Sequence, residues 1–328
     1  MSYINVTVNH FRAIQKWAAE TGGRATLDVA TFQLEVKHRN RYFQLLPQFT
    51  AWIDGRLSHV PSLVDGVFGF AGWLPYRPYS LELSTDKLSF KRFVADAGLR
   101  TPAAWPDAAS AERDFILKRS KGSFGIQLAG PFRIEQRLSA TPGAAARGRG
   151  ELFAEEFIAG DILKAWFWGS RLFFVHVQRY LSVTGDGART IEDLARERMG
   201  QLPDEWPGSP DRAIAAACAS YQGRRMEEPV DFGVPVWIDF RYGRATGRAP
   251  GTSRSDNALD ELSDATRRHI EDVGRRVGAE LGRLLAAPVA FTLDGVIDAS
   301  GEVWWLEMNS NPIFPAEGYA PMFADLFS

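Results

Sequence analysis

The chain has 328 residues, 45% hydrophobic and 24% charged, with a formal net charge of −2. That length is enough for two or three packed units. The composition excludes wholesale disorder, and it lacks the basic excess of a duplex-binding surface, so no nucleic-acid partner is expected. No window approaches the roughly 18 apolar residues that span a bilayer. The first ten residues lack a basic region followed by an apolar run. The single cysteine, Cys218, cannot form an internal disulfide and reads as a small buried hydrophobe. The expectation is a cytoplasmic protein with no membrane partner. The histidines (10, 38, 59, 176 and 269) are scattered and show no zinc-like spacing.

Residues 9–21 read as a helix stopped by Gly22-Gly23, and residues 29–60 alternate as strands do, with a turn at Asp54-Gly55. The glycine- and aromatic-rich stretch 66–79 reads as a connector, so residues 1–83 form a candidate N-terminal unit. Phe90, Phe93, Val94 and Ala97 mark an amphipathic helix capped by Ser84 or Thr85, with Gly98 at its C′ position. Strands are expected at 115–118, 126–129, 152–158, 163–168 and 172–177. Between the second and third of these, the alanine- and arginine-rich run at 141–150 reads as a loose loop. Helical segments at 190–198 and 211–221, a strand at 236–241, a helix through Val273, Val277, Leu281 and Leu284, and strands at 289–297 and 302–309 complete the chain. Clustered strands with a few helices point to α+β layers.

Three stretches carry chemistry. The last two strands flank Ser300-Gly301. If that turn has two residues, Ala299 faces Glu302 and the register sets Asp294 opposite Glu307, because both pairs sum to 601. Opposed residues have Cβ atoms about 4.5–5.5 Å apart. Strict alternation puts Asn309 on the face of Glu307 and sends Trp304 and Leu306 to the other. Two acids and an amide so placed suit Mg²⁺ carrying nucleotide phosphates; the plainer alternative is a hairpin whose acids face water. Lys118 ends a strand and leads into Lys121-Gly122-Ser123-Phe124-Gly125, where small residues can turn N–H groups toward phosphate, and Lys87 stands in the first turn of a helix. A plain surface hairpin explains this loop equally well, and it is not a Walker A sequence. Third, Glu155-Glu156-Phe157-Ile158 ends a strand and leads by a short link to Asp161. Such a link can pair an adenine with backbone groups and a ribose with the acid; an ordinary strand edge is the alternative.

Taken in this order, the three stretches resemble the ATP-grasp superfamily over residues 84–328. Asp86-Lys87, Lys91 and Ala97-Gly98-Leu-Arg-Thr-Pro102 resemble its opening helix, with Lys87 as the first phosphate lysine. Lys118 and the loop Lys121, Gly122, Ser123, Gly125 resemble its second lysine and glycine-rich loop. Glu155, Glu156, Phe157 and Ile158 resemble its adenine hinge, Asp161 its ribose-binding acid, and Asp294, Glu307 and Asn309 its metal trio. The interval of 13 residues between the two acids (307 − 294) is that of peptide-ligase members. Val183-Thr184-Gly185-Asp186-Gly187 with Thr190-Ile191 resembles the branch of glutathione-, cyanophycin- and glutamate-ligating enzymes, in which Arg241 stands where an arginine meets the phosphates. Two features depart from the family: residues 1–83 do not show its Rossmann-like opening pattern, and position 292 is Thr where several relatives carry Arg.

The resemblance implies two α+β subdomains gripping ATP, residues 84–158 and 159–328, behind an atypical N-terminal α/β unit at 1–83, whose apolar, aromatic-rich surface leads us to expect an acceptor-site wall or subunit contact. It implies ATP and two Mg²⁺ ions as cofactors. Arg241 and Lys118 are the expected catalytic charges, and the small-molecule partners are a carboxylate and an amine, as amino acid or peptide. A homodimer is compatible with it. The expected activity is an ADP-producing ligase that forms an amide through an acyl-phosphate. Two alternatives stand beside it: a peptide-modifying macrocyclase whose residues 1–83 grip a leader, and a non-catalytic nucleotide sensor.

Overall fold

The computed structural model describes residues 3–53, 56–122, 127–244 and 256–328. Helix α1 (Tyr3–Thr21) begins earlier than its periodicity suggests and is followed by β1 (Arg24–Leu27), β2 (Leu34–His38), β3 (Arg41–Ile53), β4 (Arg56–Val60) and β5 (Val67–Leu74). These strands form one antiparallel sheet in the order β1-β2-β3-β4, with β5 also paired to β3. The stretch expected to be a connector is therefore a strand. Its glycines mark close approach, not a turn: a Cβ at Gly69 would lie 2.3 Å from Thr50 Oγ1, and one at Gly72 would lie 3.0 Å from Phe314 Cβ. The turn expected at 54–55 lies outside the described residues.

A single helical turn, α2 (Glu82–Thr85), precedes α3 (Lys87–Asp96). The cap of α3 is Asp86, not Ser84 or Thr85: its carboxylate accepts from the N–H groups of Leu88 and Ser89. Gly98 takes a left-handed φ of +69° just past the helix end, as expected. Next come β6 (Ala104–Trp105), β7 (Phe115–Lys121), β8 (Leu128–Phe132) and β9 (Arg149–Glu156), an antiparallel sheet in the order β6-β9-β7-β8. The alanine-rich run before β9 is anchored, unlike the loose loop expected. Ala145 is fully buried, and the Arg119 guanidinium donates to the carbonyls of Ala145, Ala146 and Gly150.

The second half contains β10 (Gly160–Trp168), β11 (Arg171–Gln178), β12 (Leu181–Thr184), α4 (Ile191–Arg198), α5 (Pro210–Tyr221), β13 (Pro235–Asp239), α6 (Asp264–Leu284), β14 (Ala290–Asp298), β15 (Val303–Ser310) and α7 (Tyr319–Leu326). Thr190, Ser209 and Ser263 cap α4, α5 and α6 with their hydroxyls. Strands β12 and β13 pair with each other, and the larger sheet runs β11-β10-β14-β15. The chain is thus mixed α/β with antiparallel sheets. Among the described residues, no helix is long and apolar enough to cross a membrane.

Alternation along β10 divides the core. Leu163, Ala165 and Phe167 pack with Phe291, Leu293 and Trp305 against Ile270, Val273, Val277 and Leu281 of α6. Trp166 and Trp168, on the other face, join Phe70 and Trp73 of the N-terminal sheet and Tyr319, Met322 and Phe323 of α7. Each fully buried side chain of this size contributes roughly 1.5–3 kcal/mol. The Tyr319 hydroxyl accepts from Trp73 N at 3.0 Å and meets His10 Nδ1 at 2.9 Å. Residues 1–83 therefore share their core with the end of the chain, on the sheet face that also carries Lys164.

Candidate active site

The hairpin β14–β15 sets Asp294 opposite Glu307, but not by the route the sequence suggests. Near its turn the pairs sum to 600 (Ile297 with Val303), and Asp298 N donates to Glu302 O, so the loop has three residues, Ala299-Ser300-Gly301. Asp298 shapes it. Its carboxylate accepts from Ser300 N, Ser300 Oγ, Glu302 N and Trp304 Nε1, and Gly301 takes φ +83°. A bulge at Leu306 then restores the sum of 601 at Asp294 and Glu307. The bulge also corrects the faces. Val303, Trp305 and Met308 are buried in the core, whereas Trp304 and Leu306 lie on the half-buried side with Glu307 and Asn309.

Two lysines meet these acids. Lys87, the first residue of α3, places Nζ 3.2 Å from Glu307 Oε2 and 2.5 Å from the carbonyl of Gly122. Lys164 is the cross-strand partner of Asp294, and its Nζ lies 2.6 Å from Asp294 Oδ1. Asn309 Nδ2 donates to Asp294 Oδ2 at 3.2 Å. Burial raises the Asp294 pKa above its ordinary value; Lys164 opposes this, and the charge of Glu307 adds to it. Burial acts in the same sense on Glu307, but Lys87, Lys118 and Lys164 outweigh it and hold that carboxyl low.

A buried triad adjoins this pair. Glu155 of β9 forms ion pairs with Lys118 Nζ at 2.5 Å and with Lys91 Nζ at 2.6 Å. Lys91 also donates to Pro102 O at 2.9 Å and to Thr101 Oγ1 at 3.1 Å. Burial pushes Lys91 down to about 8, against the attraction of Glu155 and with the repulsion of Lys118. Burial favours the neutral form of Glu155 too, yet Lys118 and Lys91 keep its pKa below the usual value. Lys118 also acts electrostatically on Glu307. The cluster therefore lies between the sheets β6-β9-β7-β8 and β11-β10-β14-β15, with Lys87 at their junction.

The other predicted residues are less convergent. Lys121 is half-exposed, 4.0 Å from Asp86. Gly122 takes φ +140°, where a Cβ would meet Gln127 Oε1 at 2.3 Å. Ser123 and Gly125 lie outside the described residues, as does Ile126 of the strand expected there. Glu155 and Glu156 belong to β9 itself, and their side chains are committed: Glu156 accepts from Arg113 at 2.7 Å and from Ala103 N at 3.1 Å. The link proper is Phe157 to Ala159. Phe157 packs among Tyr180, Tyr221, Trp237 and Phe240, and Ile158 O accepts from the Tyr180 hydroxyl at 3.4 Å. Asp161 is three residues from Lys164 on β10, so alternation turns the two to opposite faces of that sheet. Arg241 is not a free charge beside the acids. Its guanidinium is buried and bonded to Asp239 (2.6–3.1 Å) and to Asp211 (2.6 Å), with Arg244 on Asp211 at 2.9 Å.

No protein-family model matches the chain, and no curated protein matches it. Solved structures similar to it include a bifunctional glutathione synthetase from Pasteurella multocida, at 13% identity over 96% of this chain and 44% of that one, TM-score 0.43. The VanG D-Ala:D-Ser ligase of Enterococcus faecalis matches at 14% identity over 71% of this chain and 54% of that one, TM-score 0.39. A phosphoribosylamine–glycine ligase from Thermotoga maritima matches at 13% identity over 70% and 48%, TM-score 0.36. The chain spans about half the length of each.

Sequence reasoning missed Lys164 and gave Lys91 no partner. Lys164 sits at the Cα partner position of Asp294 across β10 and β14, a non-local register that only the assembled sheet defines. A period-2 reading of β10 could have placed it on the face of Trp166, and nothing more.

Proposed function

We propose that the chain is an ATP-grasp ligase that joins a carboxylate to an amine, as amino acid or small peptide, with release of ADP and phosphate. One observation carries this reading: the ammonium groups of Lys87, Lys118 and Lys164 surround two face-to-face carboxylates between two sheets. The donor set suits the cofactors. Asp294, Glu307 and Asn309 offer oxygen ligands of the kind Mg²⁺ takes, and Lys87 and Lys118 offer point charges for phosphate oxygens. The metal, when bound, neutralises charge on the nucleotide phosphates.

In this reading the chain's own groups act by position and charge. Lys87 and Lys118 exchange carboxylate partners for phosphate oxygens and stabilise charge spreading over the transferred group. The donor carboxylate oxygen bonds to the γ-phosphorus while the bond to the β,γ-bridging oxygen breaks and ADP leaves. The amine then adds to the acyl carbon, and phosphate departs with the carboxylate's oxygen. No side chain need act as nucleophile. Adenine is assigned to the backbone of residues 157–159 within the aromatic group around Phe157. Residues 1–83, packed on the Trp166 face, are assigned to one wall of the acceptor site. The test is ADP release across pairs of amino acids, with nucleotide binding measured alongside. Nucleotide binding without ADP release on any pair would favour the sensor. Direct contact of adenine or ribose with a residue before Ser84, in a nucleotide-bound structure, would refute the division of labour.

One observation favours the peptide-modifying alternative. Trp52 of β3 and Phe68 of β5 stack with centroids 6.0 Å apart and stand exposed, as do Leu63 and Val64, at an edge of the sheet where β5 has no second strand partner among the described residues. A leader peptide adding a strand there would use that edge.

A further inference from the structure

Lys164 stands in a row across the sheet, Glu307–Asp294–Lys164–His176, each the register partner of the next. Its ammonium takes one Asp294 oxygen at 2.6 Å while Asn309 donates to the other at 3.2 Å. Both oxygens of the central carboxylate are thus already engaged. Taking away the partner of so enclosed a carboxylate is destabilising, so the ammonium serves the fold by holding Asp294 in place. A divalent cation on the same oxygen would sit against that ammonium, and the two positive charges exclude one another. The released ammonium has somewhere to rest. It faces the rings of Tyr242 at 5.1 Å and Trp166 at 5.8 Å, both on a long flexible stem's arc.

We propose that Lys164 is the resident counter-cation of Asp294, and that it must withdraw toward Tyr242 and Trp166 before Asp294 can ligate a divalent cation. The inference rests on the metal-and-nucleotide reading of the cluster and adds a residue to it. Lys164 lowers the affinity of the bare site, because only the fraction of molecules with the ammonium withdrawn is competent to bind. In the withdrawn state Asp294 keeps its hydrogen bond from Asn309, and the divalent cation, once bound, replaces the ammonium as the counter-charge.

The test is Mn²⁺ binding to the full chain without nucleotide, followed by electron paramagnetic resonance and by the Mn²⁺-dependent rise in melting temperature. Lys164→Gln is expected to bind Mn²⁺ at least about fivefold more tightly than wild type and to gain more thermal stability from it. Lys164→Arg, which keeps the charge, is expected to bind no more tightly than wild type. Should Lys164→Gln fold only with Mn²⁺ present, that dependence supports the exchange. Equal or weaker Mn²⁺ affinity in Lys164→Gln, tighter binding by Lys164→Arg, or no binding by any form would overturn it. A wild type that binds Mn²⁺ but neither binds ATP nor releases ADP would sink the ligase reading and leave the exchange standing.

Discussion

Two charge networks in this molecule are built from similar residue types and differ in nearly every physical respect. Around β14 and β15, four lysines (87, 91, 118 and 164) meet three carboxylates (155, 294 and 307), each contact a single ammonium on a single oxygen. Beside β13, two arginines (241 and 244) meet two aspartates (211 and 239), and Arg241 grips Asp239 through both Nε and Nη2. The first network carries one surplus positive charge on long stems that can swing to another anion. The second is balanced, and its forked geometry is rigid. Exchangeable single-point contacts with surplus cation are what a phosphate site needs; a saturated bidentate pair holds a fold together. The resemblance implies that Arg241 acts on phosphates; in the structure its guanidinium is bonded to Asp239 and Asp211.

Substitution sharpens that contrast. Asp294→Asn or Glu307→Gln removes a charge with little change in volume. Each is expected to lower ADP release by about a thousandfold or more, the scale of losing a key electrostatic stabiliser. The melting temperature should change little, and near-normal turnover by the double variant would break the assignment. Arg241→Ala should do the reverse. It leaves two buried carboxylates with Arg244 as their remaining ion-pair partner among the described residues, a cost of about 3–5 kcal/mol in stability. Any activity loss should follow the folded fraction. An Arg241→Ala protein with unchanged unfolding midpoint and lost turnover would return Arg241 to the chemistry.

What the sequence made legible follows from what is local. The C′ glycine at 98 and most strands and helices depend on neighbours in the chain, and they appear close to where their patterns put them, although the cap of α3 is Asp86 and not the expected Ser84 or Thr85. The pairing of Asp294 with Glu307 was also predicted, yet by two compensating errors: a three-residue loop for a two-residue turn, and a bulge at Leu306. A bulge has no reliable signature in alternation, so the faces of Trp304 and Leu306 came out reversed. Strand β5 was hidden because Gly69 and Gly72 answer to Thr50 and Phe314, residues far away in sequence. The partners of Lys91 and Lys164 were invisible for the same reason. Glu155 is 64 residues from Lys91 and Asp294 is 130 from Lys164 (155 − 91 and 294 − 164).

Within the exchangeable network, the two lysines at the end of β7 should differ. Lys118 is nearly buried and fixed by Glu155, whereas the Lys121 side chain is 55% exposed. Lys118→Ala is expected to weaken nucleotide binding or slow turnover by about 10–100-fold, the range for a hydrogen bond to a charged group. Lys121→Ala should cost at most a few-fold, as an exposed ion pair does. Equal effects in a nucleotide titration would mean that the phosphate site lies nearer the loop than the cluster implies.

Lys91 is a step removed from the proposed metal pair, to which it connects through Glu155 and Lys118. Its folded pKa is depressed to about 8 from an ordinary 10.5 because burial disfavours the charged form. Between those values the unfolded chain holds a proton that the folded chain has released. Stability then rises with pH, since the unfolded state binds more protons. The penalty is fully present below pH 8 and relieved as pH climbs toward 10.5, by at most about 3 kcal/mol across the window. The check is the melting temperature of wild type and Lys91→Met from pH 7 to pH 10.5, taken as a difference so that other titrating groups cancel. Wild type should gain on the variant as pH rises. A flat difference would show that Glu155 holds Lys91 charged throughout, and the triad would then join the saturated kind of network that Arg241 represents.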